Sequence, residues 1–151
     1  MGFLSFASAA SVWRGYEYYK GGKVERCQET NDGHYEGQVS GSGEKKYQVK
    51  INLEHPRSSQ CSCPHAAGKQ IVCKHMAALY FYAFPEESED YYRELIKAEE
   101  KAEQEQERLE NAVIEHVGKM KKAELQQALL QTLFDGPEWQ FDRFVREYDI
   151  Q

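Results

Sequence analysis

The sequence predicts an α+β chain, with a small antiparallel sheet and flanking helices around a metal site, followed by an all-α C-terminal region. Three observations carry that reading. Residues 46–53 alternate without a break, with Tyr47, Val49, Ile51 and Leu53 on one face and Lys46, Gln48, Lys50 and Asn52 on the other. This is the pattern of a strand with one dry and one wet face. Residues 61–75 hold three of the four cysteines and two of the five histidines. The charge also divides: ten Lys/Arg stand against seven Asp/Glu through residue 84, and nine against eighteen beyond it. Such a split marks two structural units, 1–84 and 85–151.

In the first unit, Val12, Tyr16 and Tyr19 repeat at helical spacing, so a short helix is expected over Ser11–Tyr19, ended by Gly21-Gly22. Three strands follow: Lys23–Glu29, His34–Val39 and Lys46–Leu53. Asn31-Asp32-Gly33 turns the chain between the first two, and Ser40–Gly43 between the last two. Pro56 closes the third strand. A short extended piece, Ser58–Ser62, then leads into the cysteines. Met76–Phe84 is apolar almost all round, as expected of a helix buried against a sheet.

Pro85 marks the boundary of the second unit. Three helices are expected beyond it. The first carries Tyr91, Tyr92, Leu95 and Ile96, a charged run Lys97–Arg108 that reads as a solvated face, then Val113, Ile114, Val117 and Met120. The second is built on Leu125, Leu129 and Leu133 and stops at Asp135-Gly136-Pro137. Phe141, Phe144, Val145 and Tyr148 form the third, at i, i+3, i+4, i+7.

The densest chemistry is the pair of pairs Cys61/Cys63 and Cys73/His75, spaced C-x-C, nine residues, C-x-H. Thiolate and imidazole are the donors that a structural zinc ion takes in fours. Pro64 favours the bend that lets two cysteines one residue apart reach one ion, and Cys73 falls at the N-terminal edge of the buried helix, where a thiolate is favoured. Scattered core cysteines would be the alternative, but this density is uncommon without a metal. C-x-C is not the redox C-x-x-C, and the H-x-E and P-C-x-x-C pair of a zinc deaminase is missing. Four protein donors leave no open position, so the expected site is structural, not catalytic. His65 and His55 are spare donors nearby, and His65 reads as an exposed loop histidine. Cys27 reads as a small hydrophobe in a strand.

The pattern resembles the SWIM zinc finger. Cys63-Pro64 and Cys73-Lys-His75-Met-Ala-Ala-Leu79 agree with that family. Upstream, Ser11-Val-Trp-Arg-Gly-Tyr-Glu-Tyr-Tyr-Lys-Gly-Gly-Lys-Val24 is similar to the lead that precedes the finger in many bacterial members. The resemblance covers about residues 8–84. It implies a SWIM-like ββα zinc module with ligands Cys61, Cys63, Cys73 and His75. It also implies a binding role, to protein or DNA, of the kind found near Snf-type helicases, transposases and recombination factors.

Two uses stay open at this level. The acidic helices with Phe141, Phe144 and Tyr148 favour protein–protein interaction, in an accessory subunit of a DNA-transaction complex such as a Snf-type helicase system. Alternatively Lys45, Lys46, Lys50, Arg57, Lys69 and Lys74 form a basic face of the finger unit that contacts DNA. No nucleophile with a positioned base and no phosphate-binding loop is legible, so an enzyme in its own right, or a small-molecule substrate, is not expected. The N-terminus has no basic n-region and its apolar run is broken by serines, so it reads as the lead-in to a helix; no run reaches the length of a membrane span. A reducing cytoplasm is the expected compartment.

Overall fold

The structure is a computed structural model, and it describes residues 2–150. A 3-10 turn over Phe3–Phe6 precedes α1 (Ala9–Lys20), β1 (Val24–Asn31), β2 (His34–Ser40), β3 (Lys46–Asn52), a second 3-10 turn (Pro56–Ser58), β4 (Gln60–Cys61) and α2 (Lys74–Ala83). Three helices follow: α3 (Pro85–Lys119), α4 (Lys122–Asp135) and α5 (Glu138–Glu147). The four strands form an antiparallel meander in the order β1-β2-β3-β4, as the alternating pattern requires.

Local chemistry sets the boundaries. Ser8 caps α1, its hydroxyl accepting from the Ser11 amide at 3.2 Å. The β1–β2 hairpin turns at Asp32-Gly33, where Gly33 takes φ +70°. Pro85 opens α3 directly after the Phe84 amide has closed α2 on the Tyr80 carbonyl at 2.9 Å.

The chain divides into two compact units, the first ending at Ile96 and the second beginning at Lys97. The core of the first unit joins Val39, Val49 and Ile51 of the sheet to Met76, Leu79 and Phe81 of α2, all buried. Gly37 of β2 lies under α2: a Cβ there would collide with the Leu79 side chain and the Arg26 carbonyl. On the other side of α2, a Cβ on Gly15 of α1 would meet the Ala77 Cβ at 2.5 Å. α2 is therefore enclosed by sheet and helix, which explains why its sequence is apolar all round.

Two features differ from the sequence reading. The N-terminal apolar stretch is more than a lead-in to α1. Phe3 is buried and stacks on Tyr80 with ring centroids 5.2 Å apart, and Ala7 bridges Val72 in parallel. The compact unit also runs past the expected boundary at residue 84, because Tyr91 packs on Phe81 at 5.4 Å and Tyr92 stacks on Tyr16 at 5.4 Å.

In the second unit, α4 and α5 contact each other through Phe134 and Phe141, with centroids 5.8 Å apart. Among its described residues only Leu133 is buried. The charged run is continuous helix, with Arg108 paired to Glu105 and Gln106 bonded to Glu110 on neighbouring turns.

Candidate metal centre

Four residues from three pieces of the chain converge on one point. Cys61 ends β4, held there by the pairing of β4 with β3 opposite Val49. The chain then bends, with the amides of Ala66 and Ala67 both bonded to the Cys63 carbonyl at 3.1 and 2.9 Å. Cys73 is the N-cap residue of α2, and His75 sits in its first turn. All four side chains are buried, and all four cysteines of the chain are free thiols.

The donor atoms of Cys61, Cys63, Cys73 and His75 lie within 4.8 Å of one another. The Sγ atoms of Cys63 and Cys73 are 3.8 Å apart, and His75 Nδ1 is 3.7 Å from Cys61 Sγ and 3.9 Å from Cys73 Sγ. A tetrahedron with metal–sulfur bonds of about 2.3 Å has edges of about 3.8 Å. The spacing thus suits donors around one ion better than thiol hydrogen bonds.

The histidine ring is oriented for that role. Its Nδ1 faces the sulfurs, while Nε2 is buried with no hydrogen-bond partner among the described residues. The ring packs against Tyr47 at 4.6 Å and against the edge of Tyr18 at 5.4 Å. Carrying the ring proton on Nε2 leaves the Nδ1 lone pair free for a metal.

Electrostatics prepare the thiols. A hydrogen bond from the Cys61 thiol holds Cys73 down to about 4; His75 and the amides of Met76 and His75 at the start of α2 add to it. The Cys61 thiol is pushed up by the neighbouring Cys73 thiolate and then by burial. Without metal, one proton is thus retained on Cys61 beside a thiolate on Cys73. Three thiolates and a divalent ion leave one net negative charge. Lys74 stands beside the cluster in sequence, its Nζ donating to Tyr18 Oη at 2.7 Å and lying 4.3 Å from the Tyr18 ring centroid. That contact draws the Tyr18 hydroxyl below its ordinary range.

Residues 47–84 match the family model of the SWIM zinc finger. The chain carries a SWIM zinc finger. Neither the curated proteins nor the solved structures give a match to the chain. The finger's three sulfurs and one imidazole form a set that fits Zn2+. When bound, zinc would join the end of the sheet to the start of α2; a closed four-donor set supplies structure and no open coordination position.

His55 and His65 are exposed and outside the SWIM cluster, and Cys27 is half-buried in β1, its thiol pushed up by burial. Tyr18 and Tyr47, which flank the His75 ring, were not singled out by sequence as part of the site. Their signals were present: Tyr47 lies on the inward face of β3, and Tyr18 belongs to the upstream Tyr-Tyr pair.

The six basic residues fare differently from one another. Lys46 pairs with Glu25 and Lys50 with Glu36, each at 2.7 Å, so the wet face alternates in sign. Lys74 is engaged with Tyr18, and the Arg57 guanidinium lies 5.8 Å from the Phe6 ring centroid. Lys45 and Lys69 are exposed. Lys50, Arg57 and Lys69 line one groove beside β4, which Lys45, Lys46 and Lys74 do not line. Among the described residues, no helix is long and apolar enough to cross a membrane.

Proposed function

We propose that the chain is a zinc-held module that binds protein, acting as an accessory subunit of a DNA-transaction complex such as a Snf-type helicase system. The observation that carries this reading is the apolar surface of the second unit. Leu109, Val113, Ile114, Leu129, Leu130 and Phe134 are all exposed there, Ile114 and Phe134 at 68%. Scattered apolar side chains are ordinary on a surface, but a run of them over two successive helices, α3 and α4, is the mark of an interaction surface. The closed zinc site serves as scaffold and catalyses nothing.

Direct DNA binding through the finger is the second reading, supported by the shared groove of Lys50, Arg57 and Lys69. The ion pairs of Lys46 with Glu25 and Lys50 with Glu36 weigh against it, because carboxylates interleaved with the cations repel phosphate. The discriminating experiment takes the zinc-loaded full chain and a Val113→Glu/Leu129→Glu variant. Stoichiometric partner capture that the variant loses supports protein binding. Absence of any partner, together with a mobility shift on DNA that weakens steeply with salt, overturns it.

A further inference from the structure

The edge of the sheet next to the zinc site has features that the metal does not explain. Among the described residues, β4 is an edge strand paired with β3 alone. Its hydrogen-bond phase follows from its neighbours. The Leu53 amide bonds to the Gly33 carbonyl at 2.9 Å, and the Gly41 amide to the Lys45 carbonyl at 2.7 Å. Bonded pairs in an antiparallel ladder recur every second residue, so Val49 spends its amide and carbonyl on Gly37 of β2. On the other side of β3, the Ser62 amide bonds to the Gln48 carbonyl at 3.0 Å. Val49 and Cys61 therefore face each other as a non-bonded pair, and the Cys61 amide and carbonyl point away from the sheet.

That free edge opens on a groove of about 580 Å³, bounded by β4 on one side and by the zinc loop at Ala66, Gly68 and Lys69 on the other. Lys50, Arg57 and Lys69 supply three cations, and among the described residues no carboxylate lines the groove. Ser58, Ser62 and Gln60 add hydroxyl and amide groups. Among the described residues no aromatic ring lines it. Single-stranded nucleic acids are held by stacking their bases on aromatic rings as well as by cations. An extended peptide needs what is present, namely an unpaired main-chain donor and acceptor flanked by side-chain pockets.

We infer that the β4 edge, with the groove between it and the zinc loop, binds an extended acidic peptide segment of a partner protein by strand addition. The peptide's main chain pairs with the Cys61 amide and carbonyl. Its acidic side chains meet Lys69, Arg57 and Lys50, displacing Glu36 from an exposed ion pair that is itself worth little. Cys61 joins the two sites: its side chain belongs to the metal cluster and its backbone forms the docking edge. This rests on the protein-binding reading and gives it a partner chemistry, at a surface separate from the apolar helices.

The test uses the zinc-loaded full chain and fluorescein-labelled decapeptides alternating glutamate with valine, threonine or leucine. Fluorescence anisotropy should show saturable binding of at least one peptide, weakened about tenfold or more by Arg57→Glu/Lys69→Glu. Zinc content measured on that variant keeps a folding defect apart from a binding defect. Replacing glutamate by lysine, or N-methylating alternate peptide bonds, should abolish binding. Binding unchanged by N-methylation, no binding by any peptide, or binding of oligo-dT in place of the peptides would each overturn the inference. Partner capture sensitive to Val113→Glu/Leu129→Glu would survive such a failure, so the two readings fall separately.

Discussion

A Cβ added to Gly15 of α1 would lie 2.5 Å from the Ala77 Cβ of α2 and 2.9 Å from the Lys74 carbonyl oxygen. The two helices cross in direct contact at this pair, two residues from the zinc donor His75. Gly15→Ala is expected to destabilise the zinc-loaded chain by about 1–3 kcal/mol, the usual range for overpacking. That loss outweighs a helix-propensity gain of at most about 1 kcal/mol. Denaturant unfolding at fixed zinc measures it, and an unchanged or raised midpoint would contradict the packing described.

Donor identity can be separated from mere proximity in sequence. His75→Ala, Cys63→Ala and Cys73→Ala should each lose zinc and unfold the region 46–84, because metal binding at such a site is folding free energy. His65→Ala and Cys27→Ser should keep full zinc content, since His65 is exposed and Cys27 lies outside the cluster. Zinc analysis with far-UV circular dichroism distinguishes the two groups.

Zinc uptake should depend on pH with a definite sign. In the metal-free cluster Cys73 is held down to about 4, so it is already a thiolate at neutral pH, while the Cys61 thiol, pushed up, keeps its proton. Zinc must expel that proton. Apparent affinity therefore rises with pH and falls on acidification, by about tenfold per pH unit for each proton released. Titration calorimetry in buffers of different ionisation enthalpy should show at least one proton leaving; heats independent of the buffer would contradict this.

The apolar surface of the second unit predicts neutral substitutions. Ile114→Glu and Leu109→Glu remove side chains that are 68% and 58% exposed, so each should change stability by less than about 0.5 kcal/mol while lowering binding of a hydrophobic dye. A loss above about 2 kcal/mol would mean that these side chains are buried.

Much of this architecture was legible because its periods are unambiguous. The alternation of Tyr47, Val49 and Ile51 set β3 and its inward face, and both Val49 and Ile51 are buried. Asp32-Gly33 set the hairpin, and the clustering of Cys61, Cys63, Cys73 and His75 set the site. The 3-10 turn at Phe3–Phe6 was not legible: a single turn carries no periodicity, and its anchor is the tertiary stack of Phe3 on Tyr80. The reach of the first unit to Ile96 was hidden for a related reason. Pro85 both stops α2 and starts α3, and only tertiary contact shows Tyr91 and Tyr92 packing on Phe81 and Tyr16. The fate of the lysines was equally non-local, since Lys46 meets Glu25 and Lys50 meets Glu36 only across strands.

The central claim is that the sheet end and the start of α2 are joined by zinc at Cys61, Cys63, Cys73 and His75. Metal analysis of the full chain purified without a polyhistidine tag tests it most directly. The expected result is one zinc per chain, lost together with folding of the region 46–84 on chelation. A folded chain containing no zinc would contradict it.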